Sequence, residues 1–290
     1  MKENNPEKRR PPAAGGGIAM QIKLIALDLD GTLTNSQKQI TPPTREALIR
    51  IQEAGIKVVL ASGRPTTGVL PLARELQLQR FGSYILSFNG GRITDCRSGQ
   101  TVYNRLLPKD VAKPLFELIK DAPVDIVGYS SRGILSGLQT NEYTKLESTI
   151  NGLPVIHVDN FPASVEQENN KFLITGNPDD IAMVKKRLIP YFHGLLNIYC
   201  SDPFFLEIMP QNIDKAHSLC KLLSSIGLTT EQMVCCGDGC NDITMLETAG
   251  LGVAMANAQT AVKEAADYIT LSNHEDGVLH VIENFFIVSE

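Results

Sequence analysis

Asp28-Leu29-Asp30-Gly31-Thr32 places two carboxylates directly after a short apolar run, Ile22 to Leu27 (Ile-Lys-Leu-Ile-Ala-Leu). Such a run, stopped by Asp and Gly, reads as a strand covered on both faces in a parallel sheet. Alternation along the strand sends Asp28 and Asp30 in the same direction, roughly 7 Å apart. Two like charges beside a hydrophobic core are costly unless a cation or a shared proton relieves them. An isolated Asp-x-Asp would be read as a turn in which Asp caps the next segment. Three further segments change that reading: Ser62-Gly63-Arg64, Lys215 at the start of a helix, and Gly237-Asp238-Gly239-Cys240-Asn241-Asp242 after another apolar run.

Each of these has an ordinary meaning alone, as a turn serine, a surface lysine and a loop or cap aspartate. Together they fit phosphoryl transfer. A carboxylate nucleophile accepts a phosphoryl group as an aspartyl phosphate, provided a second acid protonates the departing oxygen. Asp28 and Asp30 are placed for these two roles. Mg2+ prefers oxygen ligands and keeps several waters, so Asp28, Asp238 and a backbone carbonyl would form a partial shell. Ser62 and Lys215 can donate to charge in the transition state, and neighbouring glycines let the backbone approach phosphate oxygens. The candidate phosphate-binding set is Ser62, Gly63, Arg64, Asn89, Gly90, Lys215 and Asn241. Asp28, Asp30, Asp238 and Asp242 carry −4 when ionised and Lys215 returns +1, so the site stands at −3. That charge repels a phosphate dianion, and Mg2+ with a protonated Asp30 brings the site to neutrality.

The elements that must position these groups follow a doubly wound rhythm. Thr41 caps a helix that opens with Pro42-Pro43, carries Ala47, Leu48, Ile51 and Ala54 on one face, and closes at Gly55. Ile56 to Ala61 is then a second buried strand. A right-handed βαβ crossover makes the two strands parallel, so Ser62-Gly63-Arg64-Pro65 leaves at the same edge as Asp28. Tyr84 to Phe88 is a third strand, ending in Asn89-Gly90-Gly91. From about 92 to 197 the rhythm changes: a hairpin at Arg92 to Asn104, a helix near 108–120, a strand near 124–128 and a βα pair from Lys171 to Tyr191. It resumes with strands at Phe204 to Ile208, Met233 to Cys236 and Leu251 to Met255 and helices at Asp214 to Ile226, Asn241 to Thr248, Ala258 to Ala266 and Val278 to Phe286. The expected architecture is α/β: a Rossmann-like parallel core over 20–91 and 198–290, an inserted α+β cap over 92–197, and a disordered extension over 1–19. The ligand belongs at the carboxyl ends of the strands.

Composition narrows the partners. At 290 residues and 43% hydrophobic the chain can bury a large core. No apolar stretch approaches the about eighteen residues that span a bilayer, so no membrane partner is expected. A net charge of −5, a pI near 5.6 and no basic stripe exclude a nucleic-acid surface. Six cysteines with neither a signal peptide nor a framework spacing read as reduced, cytoplasmic thiols. Cys235-Cys236 and Cys240 are read as thiols, not as a soft-metal site. The expected partner is a small-molecule phosphate ester, and the expected state a monomer or weak homo-oligomer. The insertion is expected to be a lid that chooses the substrate, with Tyr129-Ser130-Ser131-Arg132-Gly133 offering donors to sugar hydroxyls. With no Trp and scattered aromatics, a base-stacking platform is not evident and a sugar phosphate is favoured over a nucleotide.

Asp-Leu-Asp-Gly-Thr, Ala-Ser-Gly-Arg, a lone Lys and Gly-Asp-Gly-Cys-Asn-Asp-Ile-Thr-Met-Leu, in that order, resemble the haloacid dehalogenase superfamily. The closer likeness is to its Cof-type sugar-phosphatase branch with a class IIB cap, over residues 20–287. The resemblance implies a Mg2+-dependent phosphatase with Asp28 as nucleophile and metal ligand. It implies Asp30 as general acid/base lending its backbone carbonyl to Mg2+, Ser62 and Lys215 on phosphate, Asp238 on metal, and Asn241 and Asp242 supporting that shell. Where the branch usually has Lys-Gly, this chain has Lys215-Ala216. Two alternatives use related groups: a phosphomutase or phosphotransferase sharing the aspartyl phosphate, and a non-catalytic phospho-accepting regulator.

Overall fold

In the computed structural model, which describes residues 22–165 and 169–286, the acidic turn follows Leu24–Leu27, a strand whose four side chains are all buried. This strand lies between two parallel partners, Lys57–Ala61 and Met233–Gly237. The sheet runs in the order Tyr268–Ile269, Leu251–Ala254, Met233–Gly237, Leu24–Leu27, Lys57–Ala61, Tyr84–Ser87, Arg92–Asp95 and Thr101–Asn104. The first six strands are parallel and Arg92–Asp95 turns back antiparallel. Apolar runs such as Met-Val-Cys-Cys suit strands covered on both faces. The helix Pro42–Glu53 begins as its sequence dictates, with the Thr41 side chain accepting from the Thr44 N–H, and buries Ala47, Leu48 and Ile51.

Parallel strands deliver their following turns to one edge. Asp28, Ser62, Asn89 and Asp238 each follow such a strand. After Tyr84–Ser87 the backbone takes three consecutive left-handed residues, Phe88 (φ 54°), Asn89 (φ 50°) and Gly90 (φ 100°). The first two are uncommon for residues with a Cβ, and such strain collects at functional turns. Here it is held by the Asn89 N–H donating to the Ser62 carbonyl at 3.0 Å and the Ser62 N–H donating to the Leu86 carbonyl at 2.8 Å.

The chain divides into two compact units. The first comprises the residues up to Gly63, Leu70–Tyr103 and the residues from Asp214 onward; the second comprises Arg64–Val69 and Asn104–Ile213. The second unit carries a six-stranded sheet in the order Leu196–Asp202, Phe205–Pro210, Phe172–Thr175, Asp125–Ser130, Gly133–Ser136 and Val155–His157. One of its faces packs under the helices Ala112–Ile119 and Pro178–Phe192, with Leu115, Ile126, Ile174, Val184 and Leu206 among the buried side chains. The other buries Val127, Ile134, Leu173 and Phe205. Asp125 is fully buried and satisfied by the Ser136 and Thr144 hydroxyls and the N–H groups of Ile126 and Leu138.

These limits differ from the expected insertion over 92–197. Arg92–Asp95 pairs with Tyr84–Ser87, so the hairpin completes the first sheet. At the far end, Phe205–Pro210 pairs antiparallel with Leu196–Asp202 and Phe172–Thr175, which places it in the second sheet. The expected boundary at 197/198 falls inside Leu196–Asp202, and the first unit resumes at Asp214. The physical reason is burial: all six side chains of Phe205–Pro210 are covered, so the run resembles a core strand of a parallel sheet. The strand ahead of Arg132 also extends further than expected, through Ser130, and the Tyr129 hydroxyl donates to Glu147 Oε1 at 2.7 Å instead of facing solvent. The stretch 1–19 lies outside the described residues. No described helix is long and apolar enough to cross a membrane.

Candidate active site

Within the first unit, Lys215 is the residue around which the acids assemble. It opens the helix Lys215–Ser225, whose N-cap Asp214 accepts from the His217 N–H, and its side chain is fully buried. Its Nζ donates to Asp28 Oδ1 at 2.5 Å and to Asp242 Oδ1 at 2.6 Å. Asp242 Oδ2 accepts from the N–H groups of Asp238 and Gly239, both at 3.0 Å. Asp242 therefore shapes the loop after Met233–Gly237 and anchors the lysine. Asp238 Oδ1 accepts from the Thr32 hydroxyl at 2.9 Å, which ties this loop to the acidic turn.

One carboxylate oxygen from each of Asp28, Asp238 and Asp242 lies within 4.8 Å of the others. Three acids against one ammonium leave a net −2 when all are ionised, in a place where Asp28 and Asp242 are buried. Burial drives the Asp28 pKa well above the ordinary carboxylate range; Lys215 opposes this, while Asp242 and Asp238 add to it. Asp238 is pushed up to about 6, chiefly by burial, against the hydrogen bond from Thr32. Burial alone would lower the Lys215 pKa, but Asp242 and Asp28 together raise it above its ordinary value. Hard carboxylate oxygens, excess negative charge and no imidazole or thiolate among them form a donor set that fits a small, hard dication. Asp28 and Asp238 would hold such a cation, since both Asp242 oxygens already accept hydrogen bonds.

A consequence is measurable without substrate. Because the folded Asp238 holds its proton more tightly than the unfolded chain, this contribution to stability is complete below about pH 4 and is lost as pH rises through about 6. In chelator, the urea-unfolding free energy is expected to carry a fall across that window. Saturating Mg2+ is expected to remove that fall, because a bound cation favours the ionised carboxylates.

The remaining candidates sort by position. Asp30 is not one of the three acids in that cluster, and its Oδ1 lies 2.6 Å from Lys38 Nζ. This second lysine offsets one of the four acids counted from sequence. Ser62 is buried at the end of Lys57–Ala61. Gly63 approaches the Asn89 side chain, and Asn89 Oδ1 accepts from Asn241 Nδ2 at 3.0 Å. The Gly90 carbonyl accepts from the Ser218 hydroxyl at 2.6 Å, and a Cβ at Gly90 would overlap the Asp214 carbonyl. Arg64 is buried and groups with the second unit. Gly31 has φ +86°, and a Cβ there would overlap Asp238 Oδ2, so only glycine lets the two acidic loops close on each other.

Three residues that sequence reasoning passed over brace the turn. Asn257 Nδ2 donates to the Gly31 carbonyl at 2.8 Å, Asn273 Nδ2 donates to the Thr34 carbonyl at 2.9 Å, and Lys38 reaches Asp30. Asn257 closely follows the parallel strand Leu251–Ala254, and that position was the available signal. Lys38 and Asn273 carry no such mark.

Comparison with known proteins places the chain in a family. The family model described as haloacid dehalogenase-like hydrolase matches residues 25–282. The 5-amino-6-(5-phospho-D-ribitylamino)uracil phosphatase YcsE of Bacillus subtilis is 34% identical, over 92% of this chain and 97% of its own length. A haloacid dehalogenase-like hydrolase from Bacteroides thetaiotaomicron superposes with a TM-score of 0.89 at 46% identity, covering 91% of this chain and all of that one. BT4131, a sugar phosphatase of subclass IIB, superposes with a TM-score of 0.78 at 26% identity, covering 92% of this chain and all of that one. Matched over most of its length by the family model, with phosphatases among its relatives, the chain belongs to the haloacid dehalogenase-like hydrolases as a phosphatase.

Proposed function

We propose that this phosphatase hydrolyses small phosphorylated metabolites of the sugar-phosphate class, with Mg2+, through an aspartyl phosphate on Asp28. The observation that carries the reading is the buried Lys215 held between Asp28 and Asp242. It fixes one oxygen of Asp28 and places a permanent positive charge beside the carboxylate that would meet phosphorus. In the first half of the reaction, an Asp28 oxygen forms a bond to phosphorus while the ester oxygen leaves and takes a proton from Asp30. In the second, water attacks phosphorus, gives its proton to Asp30, and the bond to Asp28 breaks to release phosphate. Ser62 and the backbone N–H groups of Gly63 and Gly90 supply donors for the phosphoryl oxygens, while the Asn89 N–H stays on the Ser62 carbonyl. A bound Mg2+ would neutralise charge between phosphate and the acids and orient the ester.

The substrate class rests on the relatives. BT4131 is a sugar phosphatase, and the substrate in the YcsE name carries its phosphate on a ribityl chain that is joined through an amino group to an aminouracil. We assign substrate selection to the second unit, which is inserted within the sequence of the first. The free thiols suit a reducing, cytoplasmic setting. The test is phosphate release across sugar phosphates, sugar-alcohol phosphates and nucleotides. Release is expected from the first two classes, stopped by chelator and restored by Mg2+ but not by Ca2+, whose looser shell misplaces the nucleophile. Full activity in chelator would end the metal assignment, and nucleotide-only release would end the substrate assignment.

A further inference from the structure

Lys38 belongs to none of the motifs, yet its Nζ lies 2.6 Å from Asp30 Oδ1. The loop that presents it is built with some cost. Lys38 sits at φ 60°, in the left-handed region that glycine adopts freely and lysine does not. The conformation is held from several sides: the Lys38 N–H donates to the Asn35 carbonyl at 2.9 Å and the Asn35 N–H to the Gln39 carbonyl at 3.0 Å. Asn35 Oδ1 accepts from the N–H groups of Gln37 and Gln39 at 3.0 and 3.1 Å. At the base of the loop, Asn257 and Asn273 hold the Gly31 and Thr34 carbonyls, and the Asn273 N–H donates to Asn257 Oδ1 at 3.0 Å.

Stability does not account for this arrangement. The side chains of the pair are 46% and 35% exposed, and ion pairs at such exposure add little to folding. The ammonium does restrain one oxygen of Asp30, and so narrows the orientations its carboxylate can take. We propose that Lys38 is a positioning residue, holding Asp30 at the angle from which it exchanges a proton with the leaving-group oxygen. This rests on the reading of Asp30 as the acid.

The experiment separates the two claims through kcat/KM, which covers steps only up to transfer of the phosphoryl group to Asp28 and so reports leaving-group protonation. The substrates are a sugar phosphate, whose alkoxide leaves poorly, and 2,4-dinitrophenyl phosphate, whose oxygen departs unaided. Lys38→Met and Lys38→Gly are expected to lower kcat/KM for the sugar phosphate about 10-fold and for the aryl ester less than about 2-fold. Lys38→Gly keeps the left-handed backbone, so a loss shared by both variants is not a folding effect. Lys38→Arg is expected to restore most of the rate. In an Asp30→Asn background, Lys38→Met is expected to add no further loss. Equal loss on both substrates, no loss on either, or a loss that persists in Asp30→Asn would overturn the proposal. If Asp30→Asn itself slows both substrates equally, the acid role of Asp30 falls and the proposal with it. If Asp30→Asn is selective for the poor leaving group and the Lys38 variants are not, the Lys38 assignment alone is lost.

Discussion

Asp28→Asn is expected to reduce turnover by more than about 1,000-fold, because an amide cannot carry the phosphoryl group as the carboxylate does. Folding is expected to survive. The amide is close in shape, Lys215 keeps its bond to Asp242, and one of three crowded acids becomes neutral. Since burial already drives the Asp28 proton affinity up, removing its charge relieves a cost. Thermal unfolding in chelator is therefore expected at or above the wild-type temperature. A variant that loses activity because it unfolds early, or that keeps more than a few per cent of turnover, would contradict the assignment.

Lys215→Met is expected to damage both folding and activity. The side chain is fully buried, and its loss leaves Asp28 and Asp242 facing each other without the cation that bridges them. Removing one partner from a buried ion pair costs about 3–5 kcal/mol, which urea unfolding would resolve. The deficit should be larger at pH 8 than at pH 5. At low pH the crowded carboxylates can take up protons, and a carboxyl with a raised pKa contributes stability that is lost as pH rises. Adding Asp242→Asn to Lys215→Met should recover part of the stability without recovering turnover, because the nucleophile still lacks its ammonium. A stability loss independent of pH, unrelieved by the second change, would point to lost packing of the lysine stem instead.

The core of this site was legible because its chemistry lies on short loops after apolar strands. Asp28, Ser62, Asn89 and Asp238 each terminate a run whose buried character is plain in the sequence, and parallel pairing does the rest. Lys215 was legible as a lysine opening a helix, although nothing local shows that it is buried between two acids. The second unit was less legible. Gly133–Ser136, Glu142–Asn151 and Val155–His157 form a strand, a helix and a strand whose apolar periodicity is weak, and the structure stabilises them with polar groups. Asp125 alone joins Ser136 and Thr144 across three elements. Phe205–Pro210 reads as a strand of the first sheet but joins the second, because covered strands look alike whichever sheet they join. Lys38 escaped notice because its role depends on a loop shape that its side-chain type disfavours.

In the proposed mechanism Asp28 carries the phosphoryl group. The direct measurement is to mix the Mg2+-loaded enzyme with a sugar phosphate it turns over, quench during turnover with borohydride, and map the peptides by mass spectrometry. Reduction of an acyl phosphate converts aspartate to homoserine, so homoserine is predicted at position 28, absent without substrate and absent in Asp28→Asn. Phosphate release with no reducible residue, or homoserine at Asp30, Asp238 or Asp242 instead, would rule out Asp28 as the nucleophile.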